Sequence, residues 1–114
     1  MATLACHIVI PDTQVKPGVP LHSLDWIGRF IADEYSEKPN LRVIHLGDHA
    51  DMPSLSTYDK AGSKEMEGRR YADDIAAANE GFARLSDPFS HVPCQRHMLI
   101  GNHDYRIQRA VNSD

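Results

Sequence analysis

The sequence predicts an α/β domain with a mainly parallel sheet in the order β-α-β-α-β. Three observations predict it. Short apolar runs occur at residues 4–10, 41–46 and 97–100; stretches of helical spacing separate them; and a polar block follows each run. These blocks are Asp12-Thr13-Gln14, Gly47-Asp48-His49-Ala50-Asp51 and Gly101-Asn102-His103-Asp104. Strands that alternate with helices favour right-handed crossovers and a parallel sheet, whose carboxyl edge is where ligands bind in open α/β folds.

The first run is rich in β-branched residues and stopped by Pro11, as expected of a buried strand. Residues 16–20, with two prolines and a glycine, form a loop. From Ser23 the positions Leu24, Ile27, Ile31 and Tyr35 recur at helical spacing, with Ser23 as the cap, Asp25 in the first turn, and Trp26 and Phe30 broadening the apolar stripe. Lys38-Pro39-Asn40 ends that helix, and the second strand runs to Gly47. Residues 51–62 lack periodicity and form a long loop of the kind that carries function. A second helix starts near Ser63, carries Tyr71, Ile75, Ala78, Phe82 and Leu85 on its apolar face, and closes at Asp87-Pro88. The third strand ends at Gly101, and Arg106 and Arg109 open a further helical stretch.

At 114 residues the chain is the size of one modest domain, residues 1–114, with room for a single core. Hydrophobic residues at 41% and charged residues at 25% are ordinary globular values, which suggest neither disorder nor a fibrous repeat. A net charge of -4 argues against a general electrostatic grip on nucleic acid, though not against a local basic site. The opening apolar run is too short to span a bilayer and is interrupted by His7, so the expectation is a cytoplasmic protein without a membrane partner. Cys6 and Cys94 are expected to be reduced thiols.

The blocks carry the chemistry. Asp12 and Gln14 lie two apart, a spacing at which extended backbone aims both side chains to one side, where a metal can sit between them; the alternative is that Asp12 supports the following turn. Asp48 follows a glycine that lets backbone approach a bound ion, and one carboxylate can bridge two divalent ions. As an isolated GDxxD pattern it reads more readily as a capped turn, with Asp51 a solvated charge. Asn102-His103-Asp104 is more specific: an amide, an imidazole and a carboxylate in succession suit proton transfer near neutral pH. The alternative is a polar loop in which His103 and Asp104 pair with each other. Three blocks in order at three strand ends favour one shared metal site.

On these motifs the chain resembles the N-terminal part of the calcineurin-like metallophosphoesterases, whose ordered motifs are DxH, GDxxD and GNH followed by Asp or Glu. Residues 11–18 and 45–58 look most similar to phage-type members. The resemblance implies part of that family's sandwich fold within a longer domain, and a hydrolase acting on a phosphoester, with a mild preference for a nucleotide or nucleic-acid phosphodiester. It implies Asp12 as a ligand of one ion, Asp48 as the bridge, Asn102 as a ligand of the other ion and a substrate contact, His103 as the group that contacts phosphate and assists the leaving group, and Asp104 as the residue that orients His103. Gln14 stands where the family has His. An oxygen-rich shell suits manganese first, with magnesium, zinc or iron as alternatives for the two divalent ions.

The family's later motifs, a His and a GHxH pair, have no counterpart after Asp104. His7, His45 and His97 lie within apolar strands and are expected to be structural; His49 has a minor chance of reaching the crevice; His22 and His91 are expected at the surface. The remaining ligands are expected from a further C-terminal segment or a second subunit that also covers the sheet. Lys60, Lys64, Arg69 and Arg70 follow the second block, and Arg70 is the favoured substrate-phosphate contact. Two other functions stay open: a catalytically incomplete module used in oligomerisation or partner binding, and a nonhydrolytic metal or nucleotide binder. Localisation by this reading is the cytoplasm, that of the host if the gene belongs to a phage.

Overall fold

The computed structural model describes residues 4–56 and 69–112. Strands β1 (Cys6–Ile10), β2 (Leu41–His45) and β3 (Gln95–Met98) form one open parallel sheet in the order β1-β2-β3. Helix α1 (His22–Tyr35) links the first two strands, helix α2 (Tyr71–Ser86) precedes the third, and a short helix α3 (Arg106–Asn112) follows it. Single 3₁₀ turns lie at Pro53–Leu55 and Asp87–Phe89. The fold is therefore mixed α/β, as the alternating pattern predicts.

Strand order that advances steadily in one direction, with right-handed crossovers, puts both long helices on the same face of the sheet. The core has that composition: Ile10, Leu41 and Val43 from the sheet pack with Leu24 and Ile31 of α1, Leu85 of α2 and Phe89 of the turn after it. The opposite face is open. His7, Val9, Arg42 and Leu46 are exposed, so the first strand alternates buried and exposed positions and is not buried on both faces. All four residues of β3, one of the two edge strands, are exposed.

The helices also depart from their expected faces. Ser23 is not the cap of α1: Leu21 occupies that position and makes no side-chain cap bond. Trp26 and Phe30 are 63% and 53% exposed, because Leu24, Gly28 and Ile31 are the residues that turn inward. In α2 the buried positions are Asp74, Ala78, Gly81 and Leu85, while Tyr71 and Phe82 stay half exposed. Contact is made through small residues: a methyl group on Gly81 would stand 2.8 Å from a Val15 methyl carbon. Arg70 is the N-cap residue of α2, so the expected start near Ser63 and the tip of the long loop lie outside the described residues, as do Lys60 and Lys64. The third strand runs two residues earlier than expected, because its pairing is set by β2, which ends at His45 opposite Met98. Among the described residues no helix is long and apolar enough to cross a membrane.

Candidate functional site

The register aligns the three strand ends. Ile10 pairs with His45 and His45 with Met98, so all three polar blocks leave the sheet at one edge. Ladder bonding continues past the strands: Leu46 N–H donates to Ile10 C=O and Leu99 N–H to His45 C=O, each at 2.9 Å. The first and second blocks then pair again. Gln14 N–H donates to Asp48 C=O at 2.8 Å, Val15 N–H to His49 C=O at 2.6 Å, and Asp51 N–H to Val15 C=O at 2.9 Å, around a parallel bridge between Val15 and Ala50.

The second and third blocks touch through their glycines. A side chain on Gly47 (φ 100°) would meet the Gly101 nitrogen at 2.6 Å, and one on Gly101 would collide with Asp48. Both positions need hydrogen for a backbone-to-backbone approach. Asp48 itself has φ 55°, and Gln14 (42°) and Met52 (55°) are also left-handed. Such conformations cost about 1–3 kcal/mol for non-glycine residues and cluster where structure serves function.

Side chains then brace the two blocks. Asp104 Oδ2 accepts from Asp48 N–H at 2.6 Å and from Gly101 N–H at 3.1 Å, and Asp104 Oδ1 accepts from Ala50 N–H at 2.8 Å. Asp48 Oδ1 accepts from His103 N–H at 2.8 Å. The carboxylate partner of the His103 ring is Asp51, whose Oδ1 lies 2.7 Å from Nδ1. This corrects the expected pairing: Asp104 clamps three backbone amides, and Asp51 orients the imidazole. Buried Arg106 donates to the Asp51 carbonyl at 2.9 Å and so anchors the loop that carries Asp51.

A second network lies beneath. Gly47 N–H donates to His45 Nδ1 at 3.0 Å, so the neutral ring carries its proton on Nε2, which donates to Thr13 Oγ1 at 3.0 Å. The Thr13 hydroxyl proton is then directed to His49 Nδ1 at 2.8 Å, and His49 Nε2–H donates to Ala78 C=O at 2.9 Å. One directional chain links the first and second blocks to α2, and it makes His45 and His49 structural residues. Burial first, and then the neighbouring His49, hold the His45 imidazole below its usual pKa, against the opposing pull of Asp104, Asp12 and Asp48.

The structure thus brings Asp12, Gln14, Asp48, Asn102, His103 and Asp104 to one edge. Asp12, Gln14 and Asn102 are exposed there, while Asp48 and His103 are half buried. Two carboxylates and two amides are the oxygen-donor types that hard divalent ions take. Among the described residues no three His, Cys, Asp or Glu side chains are grouped to hold an ion. Arg70 stands apart, in a neighbouring cavity with Lys16 and Arg69. Thr13, Asp51 and Arg106 were not singled out as working parts by sequence reasoning. Asp51 had a signal, its place three residues after Asp48; Thr13 and Arg106 had none, because their partners are 32 or more positions away.

No family model matches the chain, and no curated protein or solved structure matches it either. The motif residues and their geometry carry the functional argument.

Proposed function

We propose that this chain forms one wall of a metal-dependent phosphoester hydrolase of the calcineurin-like metallophosphoesterase type, its single sheet corresponding to the first layer of that family's sandwich. The observation that carries the reading is the brace between blocks two and three: Asp48 is fixed by Asp104 and in turn fixes the backbone of His103 at 2.8 Å. Asp48 is left-handed between Gly47 and Gly101, a backbone conformation of the kind that clusters at functional sites. It presents a carboxylate at the carboxyl edge, where ligands bind in open α/β sheets.

Asp12 and Gln14 would contact one ion, Asn102 the other, and Asp48 both. Two such ions, when bound, supply an activated water and hold the phosphate oxygens. The protein's own steps follow from the hydrogen bonds. Asp51 holds the His103 Nδ1 proton, which leaves Nε2 to deliver a proton to the departing alkoxide. Asp104 keeps Asp48, Ala50 and Gly101 from relaxing away from that geometry. An oxygen donor set favours manganese, and a nucleotide or nucleic-acid phosphodiester is the preferred substrate class. Nitrogen ligands for the opposite wall would come from a further segment or a second subunit packed on the open sheet face.

That open face supports a second reading, a noncatalytic module for oligomerisation or partner binding. Val9 is 51% and Leu46 46% exposed on a parallel sheet, a surface that such folds normally cover. Incubation of the purified chain with manganese and bis-p-nitrophenyl phosphate separates the two. Turnover that disappears in Asp48→Asn supports the hydrolase; no turnover under saturating metal refutes an enzyme made by this chain alone.

A further inference from the structure

Lys16 follows Gln14 by two residues and Pro53 follows Asp51 by two, which keeps each pair of Cα atoms within about 7 Å. Lys16 and Pro53 meet Arg69, Arg70, Asp73 and Asp74 around a surface cavity of about 250 Å³ beside the Asp48 cluster. Three cationic side chains from two separate segments face this space. Arg69 is positioned by donating to Pro53 C=O at 3.0 Å. Among the described residues, Lys16 and Arg70 take part in no ion pair.

Two further features mark the cavity as a place for a ligand. Arg70 is extended at the N-cap of the 16-residue α2 and provides no side-chain cap, so the first backbone N–H groups of that helix lack an intrahelical partner and favour an anion. Asp74 is 1% exposed, and its Oδ2 accepts from the Ser54 N–H and hydroxyl, yet among the described residues its Oδ1 has no hydrogen-bond partner. A buried carboxylate oxygen without a donor is a rare exception that asks for one.

We propose that the Lys16–Arg69–Arg70 cavity binds a second phosphate group of the substrate, with Asp74 receiving a hydroxyl or N–H donor from the same molecule. The substrate class is then a phosphoester carrying two neighbouring phosphates and a sugar or base. A nucleoside polyphosphate and a short oligonucleotide share that chemistry. The assignment of this phosphate to the substrate rests on the phosphoesterase reading; the cavity itself is tested without metal or turnover.

The test is binding of pyrophosphate, ADP and fluorescein-labelled hexathymidylate to the full chain in EDTA, by calorimetry or fluorescence anisotropy, for wild type, Lys16→Glu, Arg70→Glu, Arg70→Lys and, as a control at an exposed position outside the cavity, Lys38→Glu. Circular dichroism verifies that each variant is folded. Lys16→Glu and Arg70→Glu are each expected to weaken binding about tenfold or more, the loss of one charged hydrogen bond, while Arg70→Lys retains most of it and Lys38→Glu leaves it unchanged. Preference for ADP over hexathymidylate assigns the cavity to nucleotides, and the reverse order to polynucleotides. Absence of binding to all three probes, or binding that survives both Lys16→Glu and Arg70→Glu, overturns the proposal. Binding with this pattern in a chain that never hydrolyses phosphoesters would sink the enzyme reading and leave the cavity standing.

Discussion

Asp104 accepts the backbone N–H of Asp48 at 2.6 Å, so a residue of the third block holds the main chain of the second across 56 positions of sequence. The bond is reciprocated through the adjacent residue, because the Asp48 carboxylate accepts the His103 N–H. The two blocks form one rigid unit rather than two loops that happen to meet.

Loss of that clamp is expected to show in stability before it shows in chemistry. Asp104→Ala strips the acceptor from the N–H groups of Asp48, Ala50 and Gly101 in a part-buried setting. The expected cost is about 2–3 kcal/mol in urea unfolding, with Asp104→Asn intermediate. A change below about 0.5 kcal/mol, the usual size for a surface substitution, would contradict the clamp.

Gly101→Ala places a carbon against the backbone and carboxylate of Asp48, neither of which is the free end of a flexible side chain. Overpacking of this kind costs about 1–3 kcal/mol. Thermal unfolding measures it, and a melting temperature equal to wild type would show that the two blocks are not in contact.

Stability should also depend on pH through His45. Its folded pKa lies below the ordinary 6.5, so the unfolded chain binds the proton more readily. The contribution is fully present above pH 6.5 and is lost as pH falls from there through the lowered folded value. The other histidines titrate as well, so the diagnostic quantity is the difference between wild type and His45→Gln in urea unfolding at a series of pH values. A difference that stays flat between neutral and mildly acidic pH refutes the assignment.

For the proposed reaction, His103→Gln removes the proton donor and is expected to lower kcat by about 10²–10⁴. Asp51→Asn, which keeps a polar partner near Nδ1, should lower it less. Steady-state assays with bis-p-nitrophenyl phosphate and manganese measure both. Equal rates for wild type and His103→Gln would remove His103 from the mechanism.

Much of the framework is legible in the residues, for identifiable reasons. Runs of Ile, Val and Leu bounded by Pro11 and Gly47 mark the ends of β1 and β2, and alternation with helices implies the parallel order; β3, whose residues are Gln95-Arg96-His97-Met98, lies ahead of the apolar run that ends at Gly101. The inward faces of the helices are less legible. Trp26, Phe30, Tyr71 and Phe82 carry the strongest hydrophobic signal, yet close approach is made by Gly28, Ala78 and Gly81, whose small size leaves no trace in a hydrophobic pattern. Site membership follows from strand ends, but partner choice does not. Sequence proximity suggests that His103 pairs with Asp104, whereas the turn directs Asp104 to backbone amides and brings Asp51 from 52 positions away. The relay from His45 through Thr13 to His49 depends on register, which no local pattern encodes.

The proposed site requires Asp48 to present its carboxylate to a divalent ion. Titration of manganese into the full chain, followed by the electron paramagnetic resonance signal of free Mn²⁺, measures this. Wild type is predicted to deplete the free-ion signal, and Asp48→Asn, folded by circular dichroism, to bind at least about tenfold more weakly, as loss of a group central to a metal site requires. Equal depletion by the two proteins, or none by wild type at millimolar metal, would contradict it.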